Sequence, residues 1–439
     1  MNRQIVLYVL LFAVLLSWNP CYAKAWEVRE PTQSDTTSVV SVQGRIRDAA
    51  TRKPLGFVSV HVDGTNISSV SNFDGNFVIK IPKSMEKVDL MFSHLGYKNV
   101  TIPVIPAQQR NPVNVEMETA SYSLKEVVLR PLNNPTEIVL SAIRRISDNY
   151  GRTATSMVGF YREFVKKNNS YVSVAEAVLD IHKAPYHTFQ RDIARIYKGR
   201  KSGDINRSDT VIFKYQGGIL STLMLDVAKN VEILFTESPE KNYDFTFEGL
   251  EVVNEKPHYK ILFNQKEWIN DILFRGVIYI ESYSLAIARI EFNMNVEDNP
   301  SAASLFVKRS PRGAQFAPLY ASYVIHFREQ NGRWFYSYGR SEVKLKSNWR
   351  QFIFFKPTCT VTSEMAITDI DEQNIIPAIK KEAVKANDIV AEKLSVFTGD
   401  QFWGSYNYIE PEQSIESAIN RMNRRLKREG MLLDLEQEE

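Results

Sequence analysis

From Val39 onward, short runs of β-branched and aromatic residues recur between turns rich in Gly, Asn, Asp and Pro, and this rhythm settles the fold class before any other feature. The first set is Val39 to Ile46, Gly56 to Val62, Ser68 to Val70, Gly75 to Ile81, Val88 to Ser93, Tyr97 to Ile105 and Val113 to Met117. Turns at Asp63-Gly64, Asp74-Gly75 and Pro82-Lys83 separate them. About seven short strands in about 80 residues is a two-sheet sandwich pattern. From Val158 the runs lengthen. Val158 to Lys166 and Tyr171 to His182 flank a turn at Asn168-Asn169, and a meander follows through Tyr243 to Val253, His258 to Asn264, Phe274 to Glu281, Ala286 to Asn295, Leu319 to Glu329, Arg333 to Leu345 and Gln351 to Thr362. Two-sided alternation, as in Tyr336, Tyr338 and Arg340 against Ser337, Gly339 and Ser341, suits a curved antiparallel sheet. The expected fold is mainly β: a small Ig-like β-sandwich followed by a larger curved antiparallel sheet or half-barrel with a few helices.

Composition supports cores of that size. The 439 residues are 44% hydrophobic and 11% aromatic, enough for two or three domains. Of the two cysteines, Cys21 falls in the leader described next, so Cys359 has no partner for an internal disulfide. Arg3, the apolar run Ile5 to Leu16 and the small-x-small Ala23-Lys24-Ala25 form a secretory leader over residues 1–25, with Trp26 as the expected mature start. A lipid anchor at Cys21 is the competing reading, opposed by bulky Trp18-Asn19-Pro20 where small residues precede a lipidated cysteine. No later stretch is apolar enough for a transmembrane helix after signal removal. The expected location is the periplasm or outer-membrane periphery of a Gram-negative bacterium. The formal charge is +3, and +1 once Arg3 and Lys24 are discounted, which argues against a nucleic-acid partner.

The chain divides by pattern into a flexible tether (26–38), the sandwich (39–118), a linker strand and helix (119–157), the antiparallel β domain (158–365) and a helical and aromatic C-terminal region (366–439). In the linker, Pro135 opens a helix with Ile138, Ala142, Ile143 and Ile146 at helical spacing. Within the β domain, Leu220, Leu223 and Val227 space one helix over Gly218 to Asn230. At the C-terminus, helices are expected over Ile375 to Leu394 and Ser414 to Arg428, the second with Ile415, Ala418, Ile419, Met422 and Leu426 on one face.

Four pieces of the first set, in order, carry a resemblance: Val42-Gln43-Gly44-Arg45-Ile46-Arg47-Asp48, then Lys53-Pro54-Leu55 with Val58-Ser59-Val60, then Ser71-Asn72-Phe73-Asp74-Gly75-Asn76-Phe77, then Phe92-Ser93-His94-Leu95-Gly96-Tyr97. Together they resemble the carboxypeptidase-regulatory-like domain that opens many cell-envelope proteins of Bacteroidota. The resemblance implies a transthyretin-like β-sandwich without catalytic residues. Leu124 to Leu129 and the helix after it resemble the matching region of larger Bacteroidota proteins of unknown function, which implies no activity. More loosely, Gly276 to Glu281 followed by Ala286 to Glu291 is similar to a hairpin of the periplasmic lipoprotein-carrier fold, a half-barrel that holds acyl chains.

The residues show little chemistry. The only His-x-x-Glu is His326-Phe327-Arg328-Glu329, on an expected strand, where residues three apart face opposite ways and do not share a metal. His182, His187 and Asp180 lack motif context, and Cys359 between two threonines reads as a core thiol. Glycoside hydrolysis needs two carboxylates at a set separation, and Glu163, Glu176, Asp180, Glu281 and Glu291 offer no basis for choosing a pair. No catalytic residue, metal ligand or cofactor site is assigned. The candidate ligand-binding residues are aromatic: Trp334, Tyr336 and Tyr338 along one strand, and Trp403 and Tyr406 near the C-terminus. Exposed, such rings stack on sugars or cover an acyl chain; buried, they are core.

The resulting expectation is a non-enzymatic envelope binding or assembly protein, its sandwich an interaction module and its β domain holding an envelope protein, a lipid or a glycan. A hydrolase of envelope polymers and a mainly structural component of the outer membrane are the alternatives, and the oligomeric state is not readable. The leader itself makes a prediction: intact-mass analysis of the protein from an envelope fraction should give a chain starting at Trp26. A diacylated product starting at Cys21 would overturn it.

Overall fold

The computed structural model describes residues 39–120, 134–202, 214–215, 218–236, 238–254, 256–297, 300–309, 314–349, 357–377, 380–385, 388–396 and 402–428. The expected leader (1–25), the expected tether (26–38) and the segment 124–129 lie outside these. The sandwich comprises β1 (Val39–Asp48), β2 (Ser59–Val62), β3 (Ser68–Val70), β4 (Asn76–Pro82), β5 (Val88–Ser93), β6 (Val100–Val104) and β7 (Val113–Met117). One sheet has the order β4-β1-β7 and the other β3-β2-β5-β6, with β1 and β7 parallel. Alternate residues of the two sheets, among them Val42, Ile46, Val60, Phe77, Ile79, Leu90, Phe92 and Val115, meet in a closed apolar core. Gly75 sits at φ +76° with Ile46 O within 2.4 Å of where a Cβ would be, so the turn after Asp74 admits only glycine.

The second unit is one large sheet. Its strands are β8 (Thr155–Lys167), β9 (Ser170–Lys183), β10 (Ile193–Ser202), β12 (Tyr243–Val253), β13 (Lys256–Gln265), β14 (Phe274–Glu281), β15 (Ile287–Met294), β17 (Ala314–Gln330), β18 (Arg333–Trp349), β19 (Thr358–Asp371) and β20 (Ser395–Val396). Two short strands, β11 (Lys214–Tyr215) and β16 (Val307–Arg309), pair apart from it. The order is β12-β13-β14-β15-β17-β18-β19-β8-β9-β10-β20, antiparallel throughout except where β20 joins β10. The protein is thus mainly β, a sandwich followed by a large antiparallel sheet, as the strand rhythm requires.

The two faces of this sheet differ. The inner face carries the largest apolar core, covered by helix α1 (Pro135–Arg144) through Ile138, Val139 and Ala142 and by the segment running from helix α2 (Ile219–Met224) to Phe235. Asn134 caps α1 by accepting the Thr136 N–H, and Pro135 stands at its first position, where a missing N–H costs nothing. The outer face receives the sandwich, the aromatic segment 402–410 and helix α3 (Gln413–Arg428). Ile415 and Ala418 of α3 pack on Phe164, Tyr171 and Val174. Val70 of the sandwich joins Phe160, Val178, Tyr338, Ala366, Phe402, Trp403 and Ile409. Ser68 Oγ donates to Ile367 O, and Asn72 Nδ2 to Glu410 O, fastening the sandwich to both sheet and segment.

Two helices expected from periodicity are shorter in the structure. Between Ile375 and Leu394, only Val390–Lys393 is helical among the described residues. Val384 N–H donates to Ala194 O and Ala383 bridges Arg195, so the chain there bonds to the β10 edge instead of to itself. Helix α2 stops at Met224. Just beyond it, Asp226 accepts from the Lys183 ammonium at 2.5 Å, and Asp192 from the same group at 2.6 Å, in a largely buried triad that ties this segment to the end of β9.

Beneath segment 402–410 the outer face carries charge. Arg200, Glu176, Arg162, Glu364 and Arg340 are cross-strand neighbours on β10, β9, β8, β19 and β18. Arg162 Nε lies 2.7 Å from Glu176 and its Nη1 3.3 Å from Glu364, while Arg200 reaches the second Glu176 oxygen at 2.7 Å and Arg340 the second Glu364 oxygen at 3.3 Å. Arg162 Nη2 donates to Ile409 O, and Tyr338 OH to Glu364. Arg162 and Glu176 are each 1% exposed, so removing one partner strands the other in low dielectric. Arg162→Met is therefore expected to lower stability by about 3–5 kcal/mol. Urea denaturation measures it, and hydrogen exchange should show faster exchange across 402–410. A variant as stable as the parent would mean that the ladder contributes nothing net.

Candidate functional site

On the inner face the strand register produces rows of side chains running across the sheet. One row is apolar: Ile261, Ile278, Ile290, Ile325, Gly339, Met365, Tyr161 and Ala177 are successive cross-strand partners. Four residues further along lies a second apolar row: Phe274, Met294, Ala321, Val343, Val361 and Val165. Between the two runs a belt of different character: Phe263, Gly276, Phe292, Tyr323, Ser341, Ser363, Glu163 and Ala175. Over four strands the belt swaps the expected Ile and Val for Tyr, Ser, Ser and Glu, and it separates the main core from a smaller one built on Val296, Phe306, Phe316 and Leu345.

Glu163 is the charged member. Tyr161 OH donates to its Oε2 at 2.9 Å and Ser363 Oγ at 3.5 Å. Among the described residues no cation pairs with it. Burial pushes its pKa above the usual carboxylate value, against the two hydrogen bonds, which act to lower it. Protein surrounds the side chain, yet it keeps part of its accessible surface, as do Val165, Met294 and Tyr323 around it. Ser341 and Ser363 fill less of the belt than the apolar side chains on either side of it, and the Phe292 and Tyr323 rings, stacked 4.8 Å apart, stand beside them.

The five aromatic residues singled out from the sequence do not gather here. Trp334 (5% exposed) and Tyr336 (1%) lie in the main core, with Tyr336 OH donating to Thr222 O. Tyr338 (1%) and Trp403 (3%) lie on the other side of the sheet, in the cluster beneath the sandwich, and half-buried Tyr406 packs against Tyr197. A bulge at Ser337 divides them. Phe327 pairs with Tyr336 but His326 with Tyr338, so side chains two apart, which ordinarily share a face, point to opposite faces.

The polar residues weighed from the sequence also separate. Glu329 pairs with Lys256 at 2.6 Å, whereas the His326 ring packs 5.4 Å from Tyr338. Asp180 pairs with Arg195, and His182 Nδ1 lies 3.3 Å from Ile376 O. Burial pushes the Cys359 thiol up to about 12, unsuited to a nucleophile. Glu281 accepts from the Tyr283 and Ser284 N–H groups of its own turn, and Glu291 faces Arg289. Among the described residues no three His, Cys, Asp or Glu side chains converge as a metal would require, and no helix is long and apolar enough to cross a membrane. Sequence reasoning named Glu163 only as one carboxylate among several and missed Tyr323, Ser341 and Ser363. The signal was there: the inner-facing series Cys359, Val361, Ser363, Met365, Ile367 turns polar at one position, level with Ser341 in Leu345, Val343, Ser341, Gly339.

The belt gives a pH prediction. A raised folded-state pKa means that Glu163 contributes stability fully present below its unfolded value of 4.5 and lost as pH rises through the folded value. Glu163→Gln keeps the shape and the hydrogen-bonding capacity without that loss. It should match the parent near pH 4 and exceed it at pH 8 by on the order of 1 kcal/mol in urea melts. Equal stability at both pH values would show that the carboxylate is solvated or paired.

No curated protein matches the chain. Among solved structures it is similar to a DUF1329 family protein from Desulfovibrio piger (10% identity, 56% of this chain and 95% of that one, TM-score 0.24). It is also similar to lipovitellin (8%, 52% and 26%, TM-score 0.23) and to a putative membrane-associated protein of unknown function from Bacteroides fragilis (12%, 76% and 98%, TM-score 0.15). At such TM-scores none of these carries weight for fold or activity. The family that the sequence does match covers the sandwich and the start of the linker: residues 42–129 of this chain are a CarboxypepD_reg-like domain.

Proposed function

We propose that this is a non-enzymatic binding protein of the Gram-negative cell envelope, in which the inner-face belt of the large sheet takes an apolar or amphiphilic ligand and the CarboxypepD_reg-like domain serves as an interaction module. The belt carries the reading. Ile, Val and Phe side chains on both sides suit a hydrocarbon body, and Glu163 with Ser341 and Ser363 suits one polar end. A glycan, polar along its whole length, fits such flanks poorly. The three inner rows hold one carboxylate, whereas glycoside hydrolysis works with two, so the hydrolase reading finds no support there. The leader at residues 1–25 supports export to the periplasm or the outer-membrane periphery.

The test is mass spectrometry of small molecules extracted from the mature protein, purified in parallel with a Ser341→Leu/Ser363→Leu variant in which larger side chains fill the belt. An amphiphile that co-purifies with the parent and falls by roughly tenfold or more in a folded variant supports the reading. Equal amounts from both, or none from the parent after incubation with envelope lipid extract, would sink it.

A further inference from the structure

A second site lies on the opposite side of the sheet, where the sandwich covers β15, β17 and β18. Arg289 and His326 are cross-strand partners there, as are His326 and Tyr338. The Tyr338 ring lies 5.5 Å from Phe57 of the sandwich, whose backbone in turn bonds His94. Arg289 adjoins both His94 and His326 closely enough to disfavour a charge on either. Arg328 reaches across to Asn66 O at 3.5 Å, and its charge is felt by His61. Two arginines and three histidines, drawn from two domains, thus border one seam.

Negative charge does not match them. Glu291 lies 2.7 Å from Arg289 Nε, an ion pair by distance but not aligned as a hydrogen bond, and it is 39% exposed. Asp369 acts on Arg328, and Asp63 on His61, through space. Two buried nitrogens, His326 Nε2 and Arg328 Nε, have no partner among the described residues. Buried donors are nearly always satisfied, because an unpaired one loses its hydration without compensation. Burial drives His94 down to about 3 and Arg328 down to about 10, which states the same imbalance electrostatically. His326 and Arg328 each keep part of their accessible surface, while the two unpaired nitrogens themselves are covered.

We infer that this seam is a binding site for a phosphate-type oxyanion, free or as a headgroup, held by Arg289, His326 and Arg328 from the sheet and His94 from the sandwich. Oxygen acceptors would complete the unpaired His326 and Arg328 donors and neutralise the arginines, so the anion would fasten the two domains together. The site does not depend on the inner-face ligand, and the two stand or fall separately.

Calorimetric titration of the mature protein with inorganic phosphate, against chloride at equal ionic strength, tests it. Expected are one-to-one binding and, by NMR, His94 and His326 pKa values that rise on phosphate addition. His326→Phe keeps the ring against Tyr338, and Arg328→Gln keeps the stem; each should weaken phosphate binding roughly tenfold or more while the melting temperature in chloride is no lower than that of the parent. If the natural form is a headgroup, phosphatidylglycerol vesicles will compete with phosphate; if it is free phosphate, they will not. No binding by the parent, or binding that both variants retain, would overturn the assignment.

Discussion

Much of this structure rests on one guanidinium. Arg162 is buried at the centre of β8, flanked by Glu176 on one side and Glu364 on the other, with Arg200 and Arg340 completing an alternating ladder over five strands. Five charges beneath an aromatic cover carry a large desolvation cost, and attraction offsets it only when every partner is in place. Glu176 shows the balance. Burial alone would raise its pKa, yet Arg162 and Arg200 hold it below the usual carboxylate range. The ladder also fixes register. A one-residue slip of β8 would turn Arg162 into the apolar inner core and Glu163 outward, so mispaired sheets pay a penalty far above what apolar alternation alone would impose. The same group bonds Ile409 O and thereby positions the C-terminal segment against which the sandwich packs.

What the sequence made legible follows from which interactions are local. Period-two alternation and turn residues depend on neighbours in the chain, and they located nearly every long strand as well as the helix opened by Pro135. Burial of charge depends on residues far away. Arg162 pairs with residues 14 and 202 positions distant, so a rule that places charges at the surface reads these strands as half-exposed. The aromatic residues failed to converge for a related reason. A bulge at Ser337 is invisible in a run such as Trp334 to Arg340, but it moves every later side chain to the other face, sending Tyr336 and Tyr338 into different cores. The helix expected over Ile375 to Leu394 was lost to the β10 edge, where an open strand offers backbone acceptors that local helix propensity does not take into account.

The candidate site was legible only in part. Each belt residue was visible as an interruption of an apolar series, but level alignment on adjacent strands is a matter of register, and a single strand carries no information about its neighbour's offset. The CarboxypepD_reg-like domain, by contrast, was legible in four ordered pieces, because its turns and close approaches, such as Gly75 against Ile46 O, tolerate few residues.

Ladder and belt are two sides of the same strand positions. Arg162 and Glu163, Glu364 and Ser363, Arg340 and Ser341, and Glu176 and Ala175 are consecutive residues, one facing outward and the next inward. A sheet lined by Ser, Ser, Glu and Ala loses there the interdigitating apolar contacts that hold strands in place elsewhere. The charged ladder supplies those restraints from behind. This arrangement separates the two demands on one stretch of sheet: the outer residues hold the strands, and the inner ones are released from packing and can leave space. A belt restrained in this way keeps its shape without help from a bound molecule, and a site that is preformed loses less conformational freedom on binding than one that must be opened.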